Sequence, residues 1–250
     1  MKRANLLSRR VTALVIGVAL ASTAACTAPQ SAPKSAAAEA SAWVMTPQVE
    51  SVERRQDGLM LGGRAAPDGR VVVRGPGGIA YATSADASGR FSVRIDAPRE
   101  AALFMVETQT GQDATPATYR LLVSADIAGP IALLTPGGPS LRLDQAGPLD
   151  VIDGDGRNLL ASGRAAAQGP TEVTTDGSPV EIQANQDGRW VLPLASGSRV
   201  VVVEDRVYSI PSPPTGSPAS FSVERGPGGR MVSWNTPGGA IQNAWFPDPA

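Results

Sequence analysis

The chain is 250 residues long, 18% charged and 4% aromatic, with 22 basic residues against 23 acidic ones and no histidine. Lack of histidine removes the commonest general base and the commonest metal ligand. A near-neutral balance also argues against a nucleic-acid partner, whose backbone requires a basic face. With 27 glycines and 22 prolines, the sequence is rich in turns and suits short strands better than long amphipathic helices.

The amino terminus reads as three blocks. Lys2, Arg3, Arg9 and Arg10 make the first ten residues basic, Val11 to Ala21 is almost wholly apolar, and Ser22 to Ala25 are small residues leading into Cys26, the single cysteine. That layout is an export signal over residues 1–25. Its apolar run falls short of the about 20 residues a spanning helix needs. Ser8-Arg9-Arg10 is followed by Thr12 and Ala13 where a twin-arginine signal wants bulky apolar residues, so it reads as a plain basic segment.

Thr23-Ala24-Ala25-Cys26 resembles the lipobox of bacterial lipoproteins, with Thr23 standing where that family prefers an aliphatic side chain. The resemblance implies that Cys26 is lipidated and becomes the first mature residue, each buried CH₂ of its acyl chains contributing about 0.8 kcal/mol to membrane attachment. Ordinary secretory cleavage leaving a free thiol is the alternative. In that family an aspartate after the cysteine favours inner-membrane retention. Thr27 in that place implies an outer-membrane lipoprotein of the cell envelope, on the periplasmic face. Removal of the four N-terminal cations takes the net charge from −1 to −5. Residues 26–47, dominated by Ala, Ser, Pro, Gln and Glu, read as a flexible tether.

Beyond the tether the chain repeats itself. Gly63-Arg64-Ala65-Ala66-Pro67-Asp68-Gly69 returns as Gly163-Arg164-Ala165-Ala166-Ala167-Gln168-Gly169, which divides the remainder into modules at 48–148 and 149–250. In the first module, Leu59 to Leu61, Val71 to Val73, Ile79 to Thr83, Phe91 to Ile95, Leu103 to Val106 and Tyr119 to Val123 are strand-length runs between turn signals. Phe91, Val93 and Ile95 alternate with polar residues, placing three apolar side chains on one face. About seven strands at spacings of roughly 8 to 12 residues is the pattern of an immunoglobulin-type sandwich. Gly63-Arg64-Ala65, Gly69 to Val73 and Ala85-Asp86-Ala87-Ser88-Gly89-Arg90-Phe91 resemble the bacterial Ig-like domains. That likeness implies a sandwich fold and brings no universal active site with it.

The second module aligns almost without gaps. Val73 answers Val173, Leu59 answers Leu159, and Ala184 to Trp190 repeats the earlier hairpin with Trp190 in the core position of Phe91. Thr135-Pro136-Gly137-Gly138 reappears as Thr236-Pro237-Gly238-Gly239, each between two apolar runs, which predicts a hairpin added to the end of each module. The expected fold is therefore all-β: two tandem Ig-like β-sandwich modules, each with a C-terminal β-hairpin, after a signal peptide and tether. The first hairpin is placed to fix the angle between modules.

Chemistry-bearing residues are few. Trp234, Trp245 and Phe246 make the last hairpin the most aromatic part of the chain, either as a stacking or docking platform for a glycan or as rings closing the second core. The scarcity of aromatics favours the core. Asp150, Asp153 and Asp155 cluster at the module junction, but Arg157 stands where the calcium-loop template wants a ligand, so the segment reads as a turn and no metal is expected. No Gly-x-Ser-x-Gly elbow or phosphate loop occurs, and Lys2 and Lys34 are the only lysines. Glu107, Glu172, Glu181 and Glu204 are the carboxylates available to a cryptic glycoside hydrolase, each read first as a solvated strand residue. The expectation is a non-enzymatic scaffold, adaptor or binding protein without a cofactor. Its partners are the membrane, through Cys26, and other envelope proteins, with a glycan as the alternative.

Overall fold

The computed structural model describes residues 45–165, 170–214 and 220–249. Cys26 lies outside the described residues. Seven strands open the first module: β1 (Gln48–Arg55), β2 (Gly58–Arg64), β3 (Arg70–Arg74), β4 (Ala80–Ser84), β5 (Arg90–Ile95), β6 (Ala102–Thr110) and β7 (Asp113–Pro116). They split three and four, with β1-β2-β5 in one sheet and β4-β3-β6-β7 in the other. Period two decides which side chains turn inward: along β5, Phe91, Val93 and Ile95 are buried and their neighbours exposed.

The same seven recur as β11 (Leu149–Gly154), β12 (Leu159–Arg164), β13 (Pro170–Thr175), β14 (Ser178–Gln183), β15 (Arg189–Leu194), β16 (Val200–Val203) and β17 (Arg206–Ser209) once three intervening strands are passed. Their order, β15-β12-β11 and β14-β13-β16-β17, follows that of the first module, with β17 pairing along the stretch of β16 that answers the start of β6. Even the bulge in the opening strand returns, between Val49 and Ser51 and again between Leu149 and Val151. This is the three-plus-four arrangement of immunoglobulin-type sandwiches, present twice.

The repeated glycine phrase now has a physical reason. Gly63 lies opposite Phe91 and Gly163 opposite Trp190. A Cβ on Gly63 would meet the Gln48 carbonyl and the Phe91 ring, and one on Gly163 the Pro148 carbonyl and the Trp190 ring. Each large ring thus needs a missing side chain across the ladder. The following alanines, Ala65 and Ala165, donate their amides to the carbonyls of Gly89 and Gly188 at 2.8 Å in both copies.

The added strands part company. In the first module β8 (Arg120–Val123) pairs with the first half of β6, and β9 (Ile131–Leu134) and β10 (Leu141–Arg142) extend that four-stranded side. In the second, β18 (Phe221–Gly226), β19 (Gly229–Asn235) and β20 (Ile241–Pro247) join the opposite sheet, through β20 beside β11. Each copy therefore gains a three-stranded meander, of which the Thr-Pro-Gly-Gly hairpin is one part.

Three cores result. The first lies within module one and includes Leu61, Val73, Phe91, Val106 and Leu121. Another lies within module two, around Ile152, Val173, Trp190, Val203 and Trp245. Between the modules runs a third, in which Leu122, Ala132 and Leu134 meet Val151, Val232, Trp234, Ala244 and Phe246. Strands β8, β9, β19 and β20 thus bury both faces: Leu133 turns to the first core and Ala132 to the shared one, Trp245 to the second and Phe246 to the shared one. The sequence reading assigned all three C-terminal rings to one place, whereas Trp245 closes the second core and Trp234 and Phe246 build the seam. Both sandwiches belong to a single compact unit, Trp43–Ala250.

Candidate functional site

The most elaborate constellation of polar side chains sits on that seam. Arg142, on β10, is fully buried, its guanidinium held by Asp144 at 2.9 Å and donating from Nη1 to the carbonyl of Pro247 at 2.7 Å. Its Cζ also lies 5.9 Å from the centroid of the Phe246 ring, within cation–π range. A buried cation is tolerated only when paired and hydrogen-bonded, and here the first module supplies the charge while the end of β20 supplies an acceptor.

Two further arginines come from the second module. Arg164 donates to the carbonyls of Arg142 and Asp144 at 2.9 and 2.8 Å, and its Nε lies 3.0 Å from Asp150 Oδ1. Arg189 reaches Asp150 Oδ2 at 2.9 Å. Burial pushes the Asp150 carboxyl above its usual range, with Arg164 and Arg189 pulling the other way. Across the seam Asp153 accepts from the amide of Ser140 at 2.7 Å and from its hydroxyl at 2.6 Å. Desolvation raises the Asp153 carboxyl to about 7, against which the Ser140 hydrogen bonds work.

Gln242 locks the two hairpins together. Its Oε1 accepts from the Gly137 amide and its Nε2 donates to the Thr135 carbonyl, both at 3.0 Å, so a β20 side chain grips the Thr-Pro-Gly-Gly turn of the first module. At another point on the seam Arg230, on β19, pairs with Asp126 and donates to the Ala128 carbonyl in the β8–β9 loop. Arg54, on β1, donates to the Ser124 and Asp126 carbonyls of the same loop at 2.8 and 3.0 Å. The loop is clamped from both modules, yet its tip, Ile127, is 82% exposed.

These contacts distribute the residues singled out from the sequence. Trp234, Trp245 and Phe246 are 1%, 3% and 1% exposed, which corrects the platform reading: a sugar has no free ring face to stack on at these positions. Asp150 and Asp153 serve the seam, while Asp155 accepts from the Arg157 and Asn158 amides in a turn. Among the described residues no group of three or more potential ligands gathers around a cation position.

Nor do the four glutamates converge. Glu107 is buried in the first sandwich and paired with Arg74 at 2.8 Å. Glu172 and Glu181 face each other across β13 and β14 on an exposed sheet surface, and Glu204 sits at the β16–β17 turn with a positive φ of 49°. What the sequence reading missed are the seam's arginines and Gln242. Charged residues inside apolar strand runs, such as Arg142 beside Leu141 and Leu143, are the signal that would have marked them.

A groove of about 750 Å³ opens where the first sandwich meets the start of β18, lined by Ile79, Tyr81, Phe104 and Phe221. Ile79 is 54% exposed there.

No family model matches the chain, and no curated protein matches it. Among solved structures it is similar to the central fibronectin-III array of RIM-binding protein, at 16% identity and a TM-score of 0.25, over 78% of this chain and 74% of that one. The all-β, twice-repeated sandwich assignment rests on the strand order itself.

Proposed function

We propose that this protein is a membrane-anchored lipoprotein of the cell envelope, held at the outer membrane by lipidated Cys26, whose two sandwiches form a rigid, non-catalytic scaffold or adaptor for other envelope proteins. The observation that carries the scaffold reading is the shared third core. Tandem modules joined by a linker normally move against one another, whereas here Trp234, Phe246 and the Arg142 network bury a joint interface. Rigidity of that kind suits a spacer that must present two surfaces at a fixed separation. The anchor reading is supported by the basic, apolar and small-residue blocks that end at Cys26.

Two measurements test it. Cys26→Ala is expected to release the protein from membranes into the soluble fraction, and continued membrane fractionation of that variant refutes lipidation there. Crosslinking in intact cells is expected to recover the same envelope protein reproducibly from the wild-type chain and not from a variant with the seam disrupted. Recovery of no reproducible partner removes the adaptor reading.

A further inference from the structure

The two modules differ at an inward position near the end of their opening strands. Through the shared bulge, Val52 corresponds to Ile152 and Arg54 to Gly154, since Arg54 pairs with Leu59 and Gly154 with Leu159 in matching registers. In β1 Arg54 follows Val52 on the inward side, half-buried, and its guanidinium ties down the β8–β9 loop through the Ser124 and Asp126 carbonyls. Gly154 has no side chain to do so. At the corresponding end of the second module a pocket of about 160 Å³ remains, with Ile152, Leu159, Ile210, Met231 and Trp245 forming its walls. All five belong to, or pack against, the second core, so among the described residues the pocket is an extension of that core.

The mouth has one sign of charge. Arg157 and Arg199 line it, and among the described residues no aspartate or glutamate does. Neither guanidinium is ion-paired among the described residues. Arg199 Nη1 donates to the Ser212 hydroxyl at 3.4 Å and feels the charge of Asp176, while Asp155 accepts from the amides of Arg157 and Asn158 and Asp176 from those of Arg199 and Val200. An apolar cavity of about 150 Å³ admits a ligand the size of benzene, and an apolar pocket with a few convergent polar groups is the form that small-molecule sites take.

We infer that the second module binds a compact organic anion, an apolar body of about six or seven carbons carrying one carboxylate, with the body against Trp245 and Met231 and the carboxylate between Arg157 and Arg199. The site is independent of the scaffold reading and of the anchor.

The test is a titration of the full-length chain in nonionic detergent with cyclohexanecarboxylate, followed by ¹H–¹⁵N spectra, with uncharged cyclohexylmethanol as the comparison probe. Saturable shifts are expected at the Trp245 indole and at the Arg157 and Arg199 amides. Because both arginines are exposed, Arg157→Ala and Arg199→Ala should keep the wild-type dispersion, which the same spectra report. Each is expected to weaken binding about threefold and the pair about tenfold, with the alcohol weaker than the acid by a similar factor. Shifts that do not saturate, an alcohol that binds as well as the carboxylate, or arginine variants that bind like wild type would each overturn the assignment.

Discussion

The two sandwiches are built from one plan and finished differently. In the first, three later strands continue the four-stranded side, and Arg54 ties the β8–β9 loop to β1. In the second, the later strands cross to the three-stranded side, Gly154 stands in place of that arginine, and among the described residues a pocket lies at that end. Repetition fixed the frame, and the departures from it produced both the seam and the pocket. Had both meanders joined equivalent sheets, the two apolar faces that now meet in the shared core would have belonged to equivalent surfaces of each module.

The sharpest way to break the comparison is to remove what only the second meander supplies. Trp234→Ala is expected to cost about 4 kcal/mol, measured by denaturant unfolding, and to raise the radius of gyration in small-angle scattering as the modules loosen. A cost below about 1 kcal/mol would mean that the seam does not hold the modules. Equivalence of the two frames is tested next: Gly63→Val and Gly163→Val each place a side chain against a carbonyl and an aromatic ring, and each is expected to cost about 3 kcal/mol or more. A large cost in one copy alone would show that the phrase does different work in the two modules.

The seam also has a pH signature that neither sandwich has alone. Burial raises the Asp153 carboxyl from 3.8 to about 7, so between those values the folded chain keeps a proton that the unfolded chain has released. This group's contribution to stability is therefore greatest at the acidic end and falls as pH climbs through that window. Asp153→Asn is expected to flatten the fall in melting temperature between pH 4 and about 7, and an unchanged slope would rule Asp153 out as its source. The smallest effect is the most specific. Arg54→Gly, which gives the first module the second module's residue, is expected to cost about 1–2 kcal/mol through its lost hydrogen bonds to carbonyls. It should also speed amide exchange in residues 124–130, which Arg230 of the second module still holds through Asp126 and Ala128.

Much of the frame was legible because strand runs are bracketed by turn residues and some alternate cleanly, as Phe91 to Ile95 does. Residues 131–134 carried a second message: Ile131, Ala132, Leu133 and Leu134 are all buried, and an unbroken apolar run is what a strand covered on both faces looks like. Which sheet a hairpin joins was not legible, because the apolar runs flanking Thr135-Pro136-Gly137-Gly138 and Thr236-Pro237-Gly238-Gly239 are alike. β7 and β18 lacked an apolar run to announce them. The seam's polar network was hidden for another reason: Arg142, Arg164, Arg189 and Gln242 read as surface residues until a partner sheet covers them.

Strand β20 occupies an interior place in its sheet, between β11 and β19, although some ninety residues separate it from β11 along the chain. During synthesis the first module can pack long before this late piece arrives, leaving Leu122, Ala132 and Leu134 bare to the surroundings. The nascent molecule therefore passes through an interval with an oily flank uncovered, when chaperone capture competes with self-association. Insertion of Ala244 and Phe246 ends that interval, so the time the ribosome takes to deliver one late segment sets how long the chain needs escort.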